Sequence, residues 1–409
     1  MKLKLSPVRL YTYIVLMIFT LLSLTPITQL IATGGAVQEA TGDIYVDPLA
    51  TASNYLVFLL GLTLMLLLWK KSSLSKIISY KIWIFFISSL YVFLISLFFS
   101  LNVNLSLFVN NIIYIILFFL IFDKYGFDFL IKVIIRCFLL ILFMSYIFIF
   151  MFPDYGVSIG THDGAWQGIF THKNQFGVFL SCFLMFLILA RYNHIISKKL
   201  FVFYILLVFL ALVFSKSSTA LAVSVISLFL YYLGRFKYIF YKGLFGSFFA
   251  KIFFIYIIYF SIMNGAELYA DILGKQTVGY SNRDIIWGLG IAVFLNHIWF
   301  GSILDKSFNI LDYLSVYFGA MIGTFHNTYI ESFATYGIIG GSFFMLPLIY
   351  LIFKIDKNNF ILFYSILIPL LIYLFMESLF TVKSFVVFLL LVLYISSVFS
   401  VGEFKKGNL

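Results

Sequence analysis

Long apolar runs decide what this chain can fold into. Twelve of them recur along the sequence, at roughly 10–31, 54–69, 82–100, 104–122, 130–152, 174–190, 200–215, 217–233, 248–264, 327–353, 360–376 and 379–400. A hydrocarbon core about 30 Å thick takes about 20 residues of helix to cross. Inside it every backbone N–H and C=O must be satisfied, which only helices and closed barrels achieve. Barrel strands alternate in polarity over segments of about ten residues, and these runs do not alternate. The expected fold class is therefore all-α, a polytopic integral membrane protein of about 12 transmembrane helices. Composition agrees: 63% of residues are hydrophobic and 11% are charged, where a soluble protein carries about a quarter charged. No repeat, low-complexity tract or soluble domain interrupts the pattern, so residues 1–409 read as a single transmembrane domain. The opening MKLKLSPVRL and its apolar stretch read as the first span, because that stretch is longer than a signal-peptide core. Cys137 and Cys182 fall inside apolar runs and read as small buried hydrophobes, not a disulfide or a metal pair.

Charge orients the spans. With the N-terminus inside, the cytoplasmic segments collect Lys2, Lys4 and Arg9, then Lys70, Lys71, Lys76 and Lys81, then Lys124, Lys132 and Arg136. Arg191, Lys198, Lys199, Arg235, Lys237, Lys242, Lys251, Lys354, Lys357, Lys405 and Lys406 follow, making 21 of the 27 basic residues. The positive-inside rule then holds on every cytoplasmic loop, with both termini in the cytoplasm. Residues 285–301 threaten this count, being apolar enough for a thirteenth span. That segment is short and holds Asn296 and His297, so it reads as an interfacial helix within a large extracytoplasmic loop, 265–326, before helix 10. Residues 152–174 form a second outer loop. Residues 32–53, with Glu39, Asp43 and Asp47, read as an acidic connector. Short basic loops inside and elaborate loops outside point to work done on the outer face.

The unusual polar residues lie on that face. His172, Lys173 and Asn174 occur together where the sixth span begins. Helix N-terminal N–H groups, a positive dipole end and a cation suit an anion. A snorkelling lysine with an N-capping asparagine fits the same three residues. Lys216 tips a tight hairpin between the seventh and eighth runs, with hydroxyls from Ser215, Ser217, Ser218 and Thr219 beside it. Ser/Thr capping accounts for that hairpin equally well. Arg283 precedes the interfacial segment, and its guanidinium suits a diphosphate, while Asp284 offers it an ordinary ion pair. His326 opens the tenth run in HNTYIESFATYGIIGG. There the helix dipole favours the neutral, basic imidazole. Glu331 shares a helix face with Asn327 but not with His326. Glu377 reads as an outer-turn residue. No H-E-x-x-H, P-loop, dinucleotide fingerprint or carboxylate cluster is present, so neither a metal nor another cofactor is expected. Two histidines, an arginine, two lysines and several hydroxyls suit a lipid-linked diphosphate. The cations would hold the leaving group, and a histidine would deprotonate an incoming hydroxyl.

GIFTHKNQFG, then S-x-S-x-T in a hairpin, then N-R-x-x-x-W, then H-N-x-Y followed by Y-G-I-I-G resembles the O-antigen ligase and polymerase family, which includes exopolysaccharide polymerases. The resemblance is architectural over the whole chain and specific between about residues 164 and 341. It implies a metal-independent, inverting transfer of a glycan from undecaprenyl diphosphate to an acceptor hydroxyl, at the outer face of the cytoplasmic membrane. Carried onto this chain, it implies His326 and Arg283 as catalytic residues, His326 as base or acceptor-orienting group and Arg283 as a diphosphate contact. It implies His172, Lys173, Asn174, Lys216, Ser217, Asn327, Tyr329 and Glu331 as substrate-binding residues. Ligases of the family often carry an arginine in the hairpin where this chain has Ser218 with Lys216 nearby. Many members show G-x-G after the loop helix, where this chain has Gly301 before Ser302.

The HKN motif and the S-x-S-x-T hairpin are more similar to polymerases, which extend a glycan on the lipid carrier. The alternative is a ligase, which moves finished polymer onto a lipid core or a protein. A flippase or transporter is a further alternative, but its polar residues would sit near the midplane. The partners this reading implies are the undecaprenyl-diphosphate-linked oligosaccharide, membrane lipids, and a chain-length regulator and flippase of the same pathway, with no nucleic acid.

Overall fold

The structure, a computed structural model, describes residues 9–15, 48–70, 72–79, 81–98, 105–158, 164–170, 172–234, 283–302, 325–354, 362–377, 389–390 and 392–395. Among these every regular element is helical, and the extended pairing is an isolated antiparallel bridge between Val157 and Trp166. In chain order the helices are α1 (Pro48–Leu68), α2 (Ser73–Ser79), α3 (Ile87–Phe98), α4 (Leu105–Tyr125), α5 (Phe127–Met151) and α6 (Lys173–Tyr192). They continue as α7 (Lys198–Phe214), α8 (Ser218–Leu233), α9 (Arg283–Asn296), α10 (Thr328–Lys354) and α11 (Ile368–Met376). Among the described residues α5, α6 and Thr328–Ile352 of α10 are long and apolar enough to cross a membrane. Phe58–Leu68 and Ser73–Ser79, taken as one bent span, make a fourth. Among the described residues the chain is thus all-helical, with helices that suit a membrane protein.

The expected runs from 54–69 to 217–233, with 327–353 and 360–376, coincide with described helices. Run 248–264 and most of 10–31 and of 379–400 lie outside the described residues, as does most of loop 265–326. The count of twelve spans therefore rests on the sequence alone. Within the expected interfacial segment, α9 has 14 residues, a rise of about 21 Å. That is short of the roughly 30 Å hydrocarbon core.

The chain divides into two compact units. The first comprises residues 1–221, 346–354 and 381–409. In it α1 packs on α4, α4 on α5, α5 on α6 and α6 on α7. α6 is apolar all round and is buried continuously from Phe176 to Ala190, as a helix without a polar face must be. Its aromatics explain the fit. Phe138 of α5 sits 5.1 Å from Phe179, 5.3 Å from Phe183 and 5.2 Å from Phe186, while Phe170 stacks on Phe176 at 5.7 Å. Such pairs contribute about 0.5–1.5 kcal/mol each beyond the area they bury. Cys137 and Cys182 are buried thiols in this packing and are not joined in a disulfide.

Basic residues gather where α4 ends and α5 begins. Lys76 Nζ donates to Asp123 Oδ1 at 2.6 Å. The Arg9 guanidinium lies 5.1 Å from the Phe129 ring centroid and 5.8 Å from that of Tyr125. From this end α5 runs 25 residues to Met151, about 37 Å of rise. The loop leading to α6 starts at its far end.

The second unit comprises residues 222–345 and 355–380. α9 buries Ile286 and Val293 against Phe325 and Ala334, with Leu289 and Ile330 packed around them. Trp287 meets Phe375 edge to face at 5.1 Å. Two breaks depart from the continuous helices that the apolar runs predict. Pro369, in the first turn of α11, has no N–H for the carbonyl four residues back, that of Ser365. Ser227 Oγ donates to that carbonyl, and a π-helical turn, Phe363–Leu367, takes up the distortion. Within α10, Gly337 stands at φ 64° and ψ −168°. The N–H groups of Ile338 and Ile339 leave the helical ladder and donate to the carbonyls of Ile298 (2.7 Å) and Trp299 (3.3 Å). Gly301, at φ 73°, faces Gly337, and a Cβ on either would overlap the other segment's backbone. The turn after α9 is thereby docked into the break in α10.

Candidate functional site

The polar residues that the sequence singles out fall into two clusters, one in each unit. In the first unit three segments converge: the loop after α5, the start of α6 and the α7–α8 hairpin. The loop is tied to the hairpin by the Trp166 N–H, which donates to Phe214 O at 2.9 Å, and by the Trp166 ring stacked 4.5 Å from that of Phe214. Gln167 is buried, its Nε2 donating to Tyr155 O at 3.0 Å. At the hairpin tip Lys216 adopts φ 51°. Its Nζ lies over Gly164, 3.4 Å from where a Cβ there would stand. Ser217 Oγ approaches α6 at Gly177, 2.7 Å from the corresponding Cβ position. Only glycine admits that approach.

His172 is the N-cap of α6. Its Nδ1 accepts the Asn174 N–H at 3.1 Å, which assigns the ring proton of the neutral form to Nε2. The cap is therefore the histidine, where the sequence points to Asn174. Lys173, the first residue of α6, is 9% exposed. A snorkelling lysine reaches water, whereas this one is buried at the positive end of a 20-residue helix. Lys173 and the Lys216 hairpin thus add positive potential to one corner of this unit.

In the second unit the cluster forms at the start of α10 and the end of α11. Asn327 Oδ1 accepts the N–H groups of Tyr329 (3.0 Å) and Ile330 (3.1 Å), capping α10. Glu331 Oε2 accepts the Phe325 N–H at 2.7 Å. Tyr329 OH donates to Leu371 O at 3.1 Å, and Thr328 Oγ1 donates to Glu377 O at 2.6 Å. These bonds knit the two helix ends together. Between them His326 adopts φ 51°, and its Nδ1 lies 3.5 Å from Glu377 Oε2. The carboxylate is 11% exposed and the imidazole 37%. A buried acid thus faces one nitrogen of a histidine that solvent reaches.

Glu377, which the sequence offers only as an outer-turn residue, is the acid that the structure brings to His326. Its signal is its place: the expected run 360–376 ends on the side where 327–353 begins, which puts Glu377 on the same expected face as His326. Arg283 is the first residue of α9, on the helical stripe that continues through Ile286, Trp287 and Gly290. Its side chain lies outside the described residues. Among the described residues no three His, Cys, Asp or Glu side chains gather into a metal-binding group.

Residues 203–345 match the protein family described as O-Antigen ligase. No curated protein matches the chain. The matched stretch includes Lys216, Ser217, Arg283 and the His326–Glu331 segment. His172, Lys173, Asn174 and Glu377 fall outside it. That match spans most of α7, all of α8 and α9 and the start of α10, and over this stretch, about a third of its length, the chain is similar to the O-antigen ligase family.

Proposed function

We propose that this protein is a membrane glycosyltransferase that polymerises undecaprenyl-diphosphate-linked oligosaccharide repeat units at the outer face of the cytoplasmic membrane. The observation that carries this reading is the His326–Glu377 pair at 3.5 Å, inside a helix-end cluster that belongs largely to the family match. In the reaction a hydroxyl of the incoming carrier-linked unit attacks the anomeric carbon of the growing glycan. A new C–O bond forms there as the bond to the diphosphate oxygen breaks, with inversion. The electron pair leaves on undecaprenyl diphosphate, and the hydroxyl proton passes to His326 Nε2. Glu377 holds Nδ1–H, orients the ring and stabilises the imidazolium that forms. Such general-base assistance contributes about 10²–10⁴-fold.

Cations serve the leaving group. Arg283 would offset the diphosphate charge, and so would Lys173 and Lys216, which Ser217, His172 and Asn174 accompany in the first unit. A diphosphate with its charge offset leaves readily, so the reaction proceeds without a general acid. The outward orientation is supported by the inside bias of 21 of the 27 basic residues. It is also supported within the first unit, where Arg9 and Lys76 gather at the end of α5 away from the Lys216 hairpin.

The family's description as O-Antigen ligase favours a second reading, transfer of finished polymer to a lipid core or a protein. Lipid-linked glycans from a deletion strain separate the two. Loss of a polymerase leaves single repeat units on the carrier. Loss of a ligase leaves long polymer on the carrier, which would overturn the polymerase assignment.

A further inference from the structure

We propose that Glu331 is a positioning residue that holds His326 in a left-handed backbone conformation, and that it does not contact the glycan. This rests on the reading of His326 as the base. The backbone is anchored on either side of the histidine. Phe325 is fixed twice: its ring is buried against Ile286, Val293 and Ala334, and its N–H donates to Glu331 Oε2 at 2.7 Å. On the other side Asn327 caps α10 and is itself 1% exposed, and Thr328 is tied to Glu377 O. A single residue is left to join two anchored segments, and it takes φ 51°.

For a residue with a Cβ this conformation is strained. A hydrogen bond to a carboxylate is stronger than one between neutral groups, and it is enough to hold it. Without the Glu331 anchor the Phe325–His326 peptide relaxes toward extended backbone, and the imidazole leaves Glu377. Glu331 reaches back to this peptide from the first turn of α10, where its own N–H donates to Asn327 O at 2.8 Å. Its acceptor oxygen is therefore committed to the loop that presents the histidine, in place of the substrate contact expected from the sequence.

The test measures kcat and KM of purified full-length protein on lipid-linked glycan extracted from a strain deleted for this chain. Glu331→Gln keeps an oxygen at the same reach, and Glu331→Asp keeps the charge but withdraws it by one methylene. The expected result is that Asp lowers kcat by about 10–100-fold, the equivalent of the lost bond, with KM within about twofold. Gln is expected to stay within about fivefold of wild type, since a neutral acceptor makes a weaker bond. The reverse order, active Asp and inactive Gln with a raised KM, would identify a charge that meets substrate and would overturn the proposal. So would wild-type turnover in Glu331→Asp. A double-mutant cycle guards the underlying reading. In a His326→Ala background Glu331→Asp is expected to cause no further loss, and an additive loss counts against positioning. Full activity in His326→Ala alone would instead sink the base assignment, whatever the Glu331 variants do.

Discussion

A charged or basic side chain in so apolar a sequence stands out, which is why Lys173, Lys216 and His326 are legible from the sequence. What each one touches is not, because the partner is tertiary. His326 has Asn327 and Glu331 as chain neighbours, yet the acid its ring meets is Glu377, from the end of another helix. His172 and Asn174 show the same limit at short range. Either residue suits a helix cap, and only the geometry gives that role to the histidine. If the imidazole takes the acceptor proton, His326→Ala lowers turnover by about 10²–10⁴-fold. Glu377→Gln preserves the shape but exchanges a charge-assisted contact for a neutral one, a difference of about 1.5 kcal/mol and so about tenfold in kcat. Both are read from initial rates on extracted lipid-linked glycan. Glu377→Gln at the wild-type rate would dissolve the pair.

Helix positions follow the apolar runs closely, because lipid leaves the backbone no alternative to satisfying itself within the segment. The breaks are illegible for the complementary reason: each depends on a polar group supplied from elsewhere in the fold. Pro369 announces a missing donor, but nothing in the sequence names Ser227 as the replacement. Gly337 looks like one more small residue in a membrane helix, and its left-handed conformation exists because the carbonyls of Ile298 and Trp299 take the displaced N–H groups. An alanine at 337 would meet both the conformational cost, about 1–3 kcal/mol, and the Trp299 backbone. Gly337→Ala is thus expected to lower the thermal midpoint in detergent by several degrees and to loosen the end of α9 along with α10. Protease sensitivity within residues 297–302 that rises with the loss of stability would show the coupling. A variant as stable and as resistant as wild type would mean that the docked turn is not held by this break.

At the scale of the whole molecule, the proposed reaction depends on which side of the membrane each cluster faces. On the proposed topology, the charge bias predicts the Lys76–Asp123 end of α5 in the cytoplasm and the loop beyond Met151 outside. α9 bears directly on this, since a crossing there would reverse every later segment and carry Lys354 and Lys357 outward. At 14 residues it is short for that. Single cysteines decide the matter, in a background where Cys137 and Cys182, both buried and poorly placed to react, are replaced by serine. In spheroplasts a membrane-impermeant thiol reagent should label Asp154→Cys, on the exposed turn after α5, and should reach Lys70→Cys and Lys357→Cys only after lysis. Labelling of Lys357→Cys in intact spheroplasts would mean that the segment containing α9 crosses after all. Labelling of Lys70→Cys would invert the first half of the chain. Either result would separate the Lys216 hairpin from the His326–Glu377 pair or turn both inward, and a reaction on carrier-linked glycan at the outer face needs both groups on that one side.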